Sequence, residues 1–141
     1  MELIIIKEKK NIHNTEYPLR IFPDKNFKTI NFSPIMIFYG GNGSGKTTLL
    51  NIISRKLNAS RKNIIIISEL YYYSEDVFDY LLDEPENSLS AENQLKLKQF
   101  IEDSARFYNC QFIISTHSPF ILSLTDALIY DLDSNPVVSK K

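Results

Sequence analysis

The chain has 141 residues, 43% hydrophobic and 23% charged, with a formal net charge of −1. That length supports one globular domain with a real core and is too short for two, and the near-zero charge gives no global reason to expect nucleic acid or an anionic membrane as partner. Cys110 is the only cysteine, which excludes an intramolecular disulfide and a cysteine-type zinc cluster; no apolar run approaches a membrane span, so a soluble, cytoplasmic protein is expected.

In chain order, the first 35 residues alternate short β-branched or aromatic runs ("LIII", "YPLRIF", "FKTINF") with polar breaks, the texture of short antiparallel strands. After Pro34 the compact run "IMIFY" predicts a strand buried on both faces. It leads into "GGNGSG", and "KTTLLNIISRKL" then carries Leu49, Leu50, Ile52, Ile53 and Leu57 at a helical period. "NIIIIS" predicts another buried strand and "VFDYLLDEPEN" a third that ends in acids. From Ser90 to Tyr108 the residues Leu95, Leu97, Phe100, Ile101, Ala105, Phe107 and Tyr108 predict an amphipathic helix opened by Ser90. "CQFIIS" predicts a fourth strand, "SPFILSL" a short helix begun by a proline, and "ALIYDL" a final strand. Strands alternating with helices imply an α/β fold with a mostly parallel core sheet flanked by helices and an antiparallel β edge near the N-terminus.

All four glycines, Gly40, Gly41, Gly43 and Gly45, fall in one turn, and residues 40–47 fit G-x-x-x-x-G-K-[ST]. Successive backbone N–H groups can curl around a phosphate only where side chains do not obstruct, so the glycines predict a phosphate cradle of the P-loop NTPase kind. Gly40, Gly41, Asn42, Gly43, Ser44, Gly45, Lys46, Thr47 and Thr48 are the candidate nucleotide-binding residues. Lys46 is expected to reach the β- and γ-phosphates and Thr47 to hold Mg²⁺ through its hydroxyl, with the helix N-terminus facing the anion. An ordinary strand-to-helix glycine turn is the bland alternative.

"YLLDEPEN" places Asp83 and Glu84 at the end of an apolar strand, the edge where α/β proteins bind ligands. Asp83 suits the Mg²⁺ shell through a water, and Glu84 suits a group that orients or deprotonates water. Acids at strand ends also form turns, so the pair gains weight from the lysine loop. His117 in "IISTHSPF" ends another apolar strand and is placed to reach a γ-phosphate, whereas His13 reads as an exposed or structural histidine.

At these residues the chain resembles the ABC-type ATPase superfamily. "GGNGSGKTT" resembles its Walker A loop, "YLLDEPENSLS" its Walker B strand with the catalytic glutamate and the start of the D-loop, and "ISTHSPFIL" its histidine switch. The wording is closest to the soluble branch, similar to the recombination, repair and overcoming-lysogenization ATPases grouped as AAA-family proteins. The resemblance implies Mg-ATP, catalytic roles for Glu84 and His117, and a head-to-tail homodimer with two nucleotides at the interface. The sequence departs from that family in the span from Lys46 to Asp83, which is too short for the helical lobe between Walker A and Walker B. With every glycine in the loop, no Ser-Gly signature exists, no Q-loop glutamine precedes Glu84 (Ser68 or Glu69 stands near its place), and Ser90 replaces the usual D-loop aspartate. A helical lobe is therefore expected to be missing near residues 73–82, with "DVFDYL" reading as the start of a lobe and "LLDEPEN" as the end of a strand.

Other signals admit two readings. Tyr71, Tyr72 and Tyr73 suit base stacking or a core flank; Arg55, Lys56, Arg61 and Lys62 suit a DNA-contacting patch or a solvated helix end; Tyr17 or Phe22 suits an adenine cover. The leading functional expectation is a soluble ATPase that couples ATP-driven dimerisation to a protein partner or DNA. A nucleotide-binding module that does not turn over is the main alternative. A transporter ATPase subunit lacks its coupling lobe, and a small-molecule kinase lacks a legible lid and acceptor pocket.

Overall fold

The uninterrupted apolar runs form strands buried on both faces, which is what their sequence demands. The computed structural model describes residues 2–4, 29–57 and 79–141. The strands are β1 (Glu2–Ile4), β2 (Thr29–Asn31), β3 (Ile35–Tyr39), β4 (Asp79–Asp83), β5 (Gln111–Thr116), β6 (Leu128–Asp131) and β7 (Val138–Lys140); the helices are α1 (Lys46–Leu57), α2 (Ala91–Phe107) and α3 (Pro119–Leu122), with a 3₁₀ turn at Pro85–Ser88. Five strands form one sheet in the order β4-β5-β3-β6-β7, parallel except for β7, which runs antiparallel to β6. This is a mixed α/β architecture of the P-loop NTPase kind.

Alternate residues of β3, β4, β5 and β6 feed two cores. Met36, Phe38, Leu81 and Ile113 pack with Leu49, Leu50, Ile52 and Ile53 of α1 on one face. Ile35, Ile37, Leu82, Phe112 and Ile114 pack with Leu97 and Ile101 of α2 and Ile121 of α3 on the other. Each such side chain, fully buried, contributes about 1.5–3 kcal/mol, so the sheet is the rigid part from which the site is hung. The register aligns the strand ends: Asp83 opposes Ser115 across β4 and β5, and Tyr39 opposes both Thr116 and Asp131.

Several expectations need adjusting. The N-terminal antiparallel element is a separate two-stranded sheet, β1 with β2, while the antiparallel edge of the main sheet is β7, which the sequence reading did not anticipate. Leu95 and Phe107 of α2 and its C-cap Tyr108 face solvent at 51, 67 and 54% exposure, because Leu97, Ile101 and Ser104 define the buried stripe. The strand expected in "VFDYLLDEPEN" is present as β4, and its Asp79, Tyr80 and Leu81, which "DVFDYL" alternatively assigned to the start of a lobe, are paired continuously with Gln111, Phe112 and Ile113. Residues 73–78, the strands expected in "YPLRIF" and "NIIIIS", His13, Tyr17, Phe22, Arg61, Lys62, Ser68, Glu69 and Tyr71 to Tyr73 lie outside the described residues.

Candidate nucleotide site

The site begins where β3 stops. Asn42 and Gly43 form the exposed turn of the loop, and Gly43 and Gly45 take φ values of 79° and 98°, the left-handed region that glycine enters without strain. Gly40 is packed from above: a Cβ there would stand 2.5 Å from the Ser44 Oγ and 3.3 Å from Asp133 Oδ1. α1 then starts at Lys46, with Leu49 N–H donating to Gly45 O at 2.9 Å. Thr48 is buried within its first turn.

Lys46 is 5% exposed, and its ammonium donates to the carbonyls of Gly40 (2.6 Å) and Gly41 (3.1 Å). A buried ammonium requires such acceptors and a counter-charge; the latter is Glu84, whose Oε1 lies 3.5 Å from Nζ. Across the same opening, Thr47 Oγ1 donates to Asp83, 3.1 Å from each carboxylate oxygen. A hydroxyl set against a carboxylate in this way is a hard-oxygen donor pair of the sort Mg²⁺ takes.

Three strand ends converge at this opening. Asp83 ends β4 and is fixed by Ser115 of β5, whose hydroxyl donates to Asp83 Oδ1 at 2.5 Å and accepts from Glu84 N–H at 3.1 Å. Glu84 has φ 45° and ψ 57°, a left-handed conformation that costs a non-glycine residue about 1–2 kcal/mol. Its N–H also donates to Ser115 O at 2.9 Å, and Asn87 Nδ2 donates to its Oε2 at 3.0 Å. Strain held by that many bonds is characteristic of functional positions. His117, half exposed just past β5, brings Nδ1 to 3.6 Å from Glu84 Oε1, a pair that is ionic when the imidazole is protonated.

The geometry therefore joins Lys46, Thr47, Asp83, Glu84 and His117 in one cluster. Sequence reasoning missed four residues that shape it. Ser115 bridges the two acids; Asp133 accepts from Gly41 N–H at 2.8 Å; Glu86 and Thr116 are hydrogen-bonded beneath His117. Their signals are tertiary: Asp133 is 92 positions from Gly41 and Thr116 is 30 from Glu86.

Fold and site together define a P-loop type of nucleotide-binding architecture. Residues 80–123 match a family model described as "AAA domain, putative AbiEii toxin, Type IV TA system". That stretch runs from β4 through α3 and contains Asp83, Glu84 and His117, though not the glycine loop; its AAA type supports nucleotide binding. No curated protein matches the chain. Among the described residues, no helix is long and apolar enough to cross a membrane.

Proposed function

We propose that the chain binds Mg-ATP in the loop 40–48 and hydrolyses it as a cytoplasmic ABC-type ATPase of the soluble branch. It is read as a single nucleotide-binding domain over residues 1–141, with the helical lobe missing near 73–82, in which ATP-driven homodimerisation acts on a protein partner or DNA. The observation that carries this reading is the convergence of Lys46, at the start of α1, and His117, just past β5, on Glu84, which follows β4 and whose Oε1 lies 3.5 Å from Lys46 Nζ and 3.6 Å from His117 Nδ1.

The residues present fit the group the reading requires. Thr47 and Asp83 would hold Mg²⁺, and Gly43 and Gly45 keep the loop backbone open to phosphate oxygens. When bound, the ion supplies charge neutralisation on the phosphates. Lys46 exchanges the Gly40 and Gly41 carbonyls for phosphate oxygens, and the loop amides bind the rest of that charge. Glu84, strained and tied by Asn87 and Ser115, orients the attacking water and accepts its proton; His117 faces the terminal phosphate from the neighbouring strand.

The test is Mg-ATP binding and hydrolysis by the full chain beside Lys46→Ala and Glu84→Gln, with light scattering read during the titration. Lys46→Ala is expected to abolish binding. Glu84→Gln is expected to bind but lose about 10²–10⁴-fold in turnover. A second reading, a module that binds without turnover, is favoured by the confinement of all four glycines to the loop, which leaves none for a signature motif. Equal background rates in wild type and Glu84→Gln would select it.

A further inference from the structure

Two residues past Glu84, on the same 3₁₀ turn, stands a carboxylate that the proposed chemistry does not use. Glu86 is 7% exposed, and its Oε2 is buried with no hydrogen-bond partner among the described residues. Its Oε1 accepts from Thr116 Oγ1 at 2.7 Å and from His117 N–H at 2.9 Å, and lies 3.5 Å from His117 Nδ1. Burying a carboxylate is expensive, and a mere link between a turn and a strand end needs no charge. The charge has a second addressee in the imidazole above it.

His117 Nδ1 stands between two carboxylates, 3.6 Å from Glu84 and 3.5 Å from Glu86. They are not equivalent. The charge of Glu84 is already offset by the Lys46 ammonium and engaged by the Asn87 amide, whereas the Oε1 of Glu86 that faces Nδ1 meets only the Thr116 hydroxyl and the main-chain N–H of His117 itself, and no ammonium or guanidinium among the described residues pairs with it. The partner of one imidazole nitrogen decides which nitrogen is presented to the other side.

We propose that Glu86 is a positioning residue: it takes the Nδ1–H of His117, fixing the tautomer and turning Nε2 outward toward the loop. This rests on the ATPase reading for its purpose but not for its geometry. Glu84 is thereby left to Lys46 and to water, and the two acids of the turn divide their work, one on the reacting side and one beneath the histidine.

The experiment is ¹⁵N-histidine NMR on the full chain carrying His13→Gln, so that one imidazole remains, at a pH where it is neutral, with Mg-ATP kinetics alongside. The Nδ1–H tautomer is expected with Glu86, retained in Glu86→Gln, whose amide oxygen still accepts, and lost as the dominant form in Glu86→Ala. Turnover is expected to fall about 10–100-fold in Glu86→Ala with KM within about threefold, and to recover to within about fivefold in Glu86→Gln. An Nε2–H tautomer with Glu86 present overturns the proposal without recourse to any Glu86 variant that fails to fold. So does a tautomer unchanged in folded Glu86→Ala, or a Glu86→Gln as impaired as Glu86→Ala. Absence of turnover in every form would sink the ATPase reading while the NMR result still decides the role of Glu86.

Discussion

Gly40 shows how little freedom single positions of the site retain. A methyl there would press on the Ser44 Oγ from 2.5 Å while Asp133 closes the other side, and Lys46 holds the Gly40 carbonyl from below. Gly40→Ala is therefore expected to lower stability by about 1–3 kcal/mol through overpacking and to weaken nucleotide binding. Urea unfolding with a parallel Mg-ATP titration measures both. Gly43 carries a different constraint: nothing would touch its added Cβ, so Gly43→Ala costs only the strain of φ 79°, about 1–2 kcal/mol. Lys46, Thr47, Asp83, Glu84 and His117 were legible because their spacing to glycines or strand ends is local. Ser115, Glu86 and Asp133 were not, since a serine in an apolar strand or an acid in a loop acquires its partner only when distant strands come into register.

At the level of elements, α2 separates what its pattern predicts from what packing decides. Ser90 caps it as expected, accepting from Asn93 N–H at 3.3 Å, and Ser90→Ala is expected to cost about 1 kcal/mol. Within the helix, Ile101→Ala should cost about 2–5 kcal/mol, whereas Leu95→Ala, at a half-exposed position, should be close to neutral. Thermal melts of the three variants check the order. The apolar period alone placed Leu95, Phe107 and Tyr108 with the buried set; the sheet selects only the narrower stripe through Leu97 and Ile101. The core strands were legible for the opposite reason: β3 and the Phe112–Ile114 stretch of β5 are apolar without interruption, so burial on both faces follows. β7 escaped because Val138, Ser139 and Lys140 are all exposed on an edge, where no face is obliged to be apolar.

Across the whole molecule, Tyr130 joins the two sheets. Its hydroxyl donates to Asn31 O at 3.2 Å and accepts from Asn31 N–H at 2.9 Å, while its ring packs on Phe38. Burial raises its pKa above the usual phenol value, against a lowering contribution from the Asn31 amide. A group with a raised folded pKa contributes its stability fully below about pH 10 and loses it as pH climbs through the folded value. Tyr80 is raised likewise, by burial first and by Cys110 second. The wild-type chain is therefore expected to lose stability progressively above about pH 10, and Tyr130→Phe with Tyr80→Phe to flatten that decline. Denaturant midpoints measured from pH 8 upward give the answer; an equal decline in both forms counts against it.

The way Lys46 is held bears on a quite different property, its reactivity as an amine. A side chain only 5% exposed, donating to two carbonyls and lying against Glu84, presents no free lone pair to an electrophile. Acylating reagents should therefore label the exposed Lys96 early and Lys46 late. The labelling rate at Lys46 thus becomes a clock for how often the loop lets go of its own lysine.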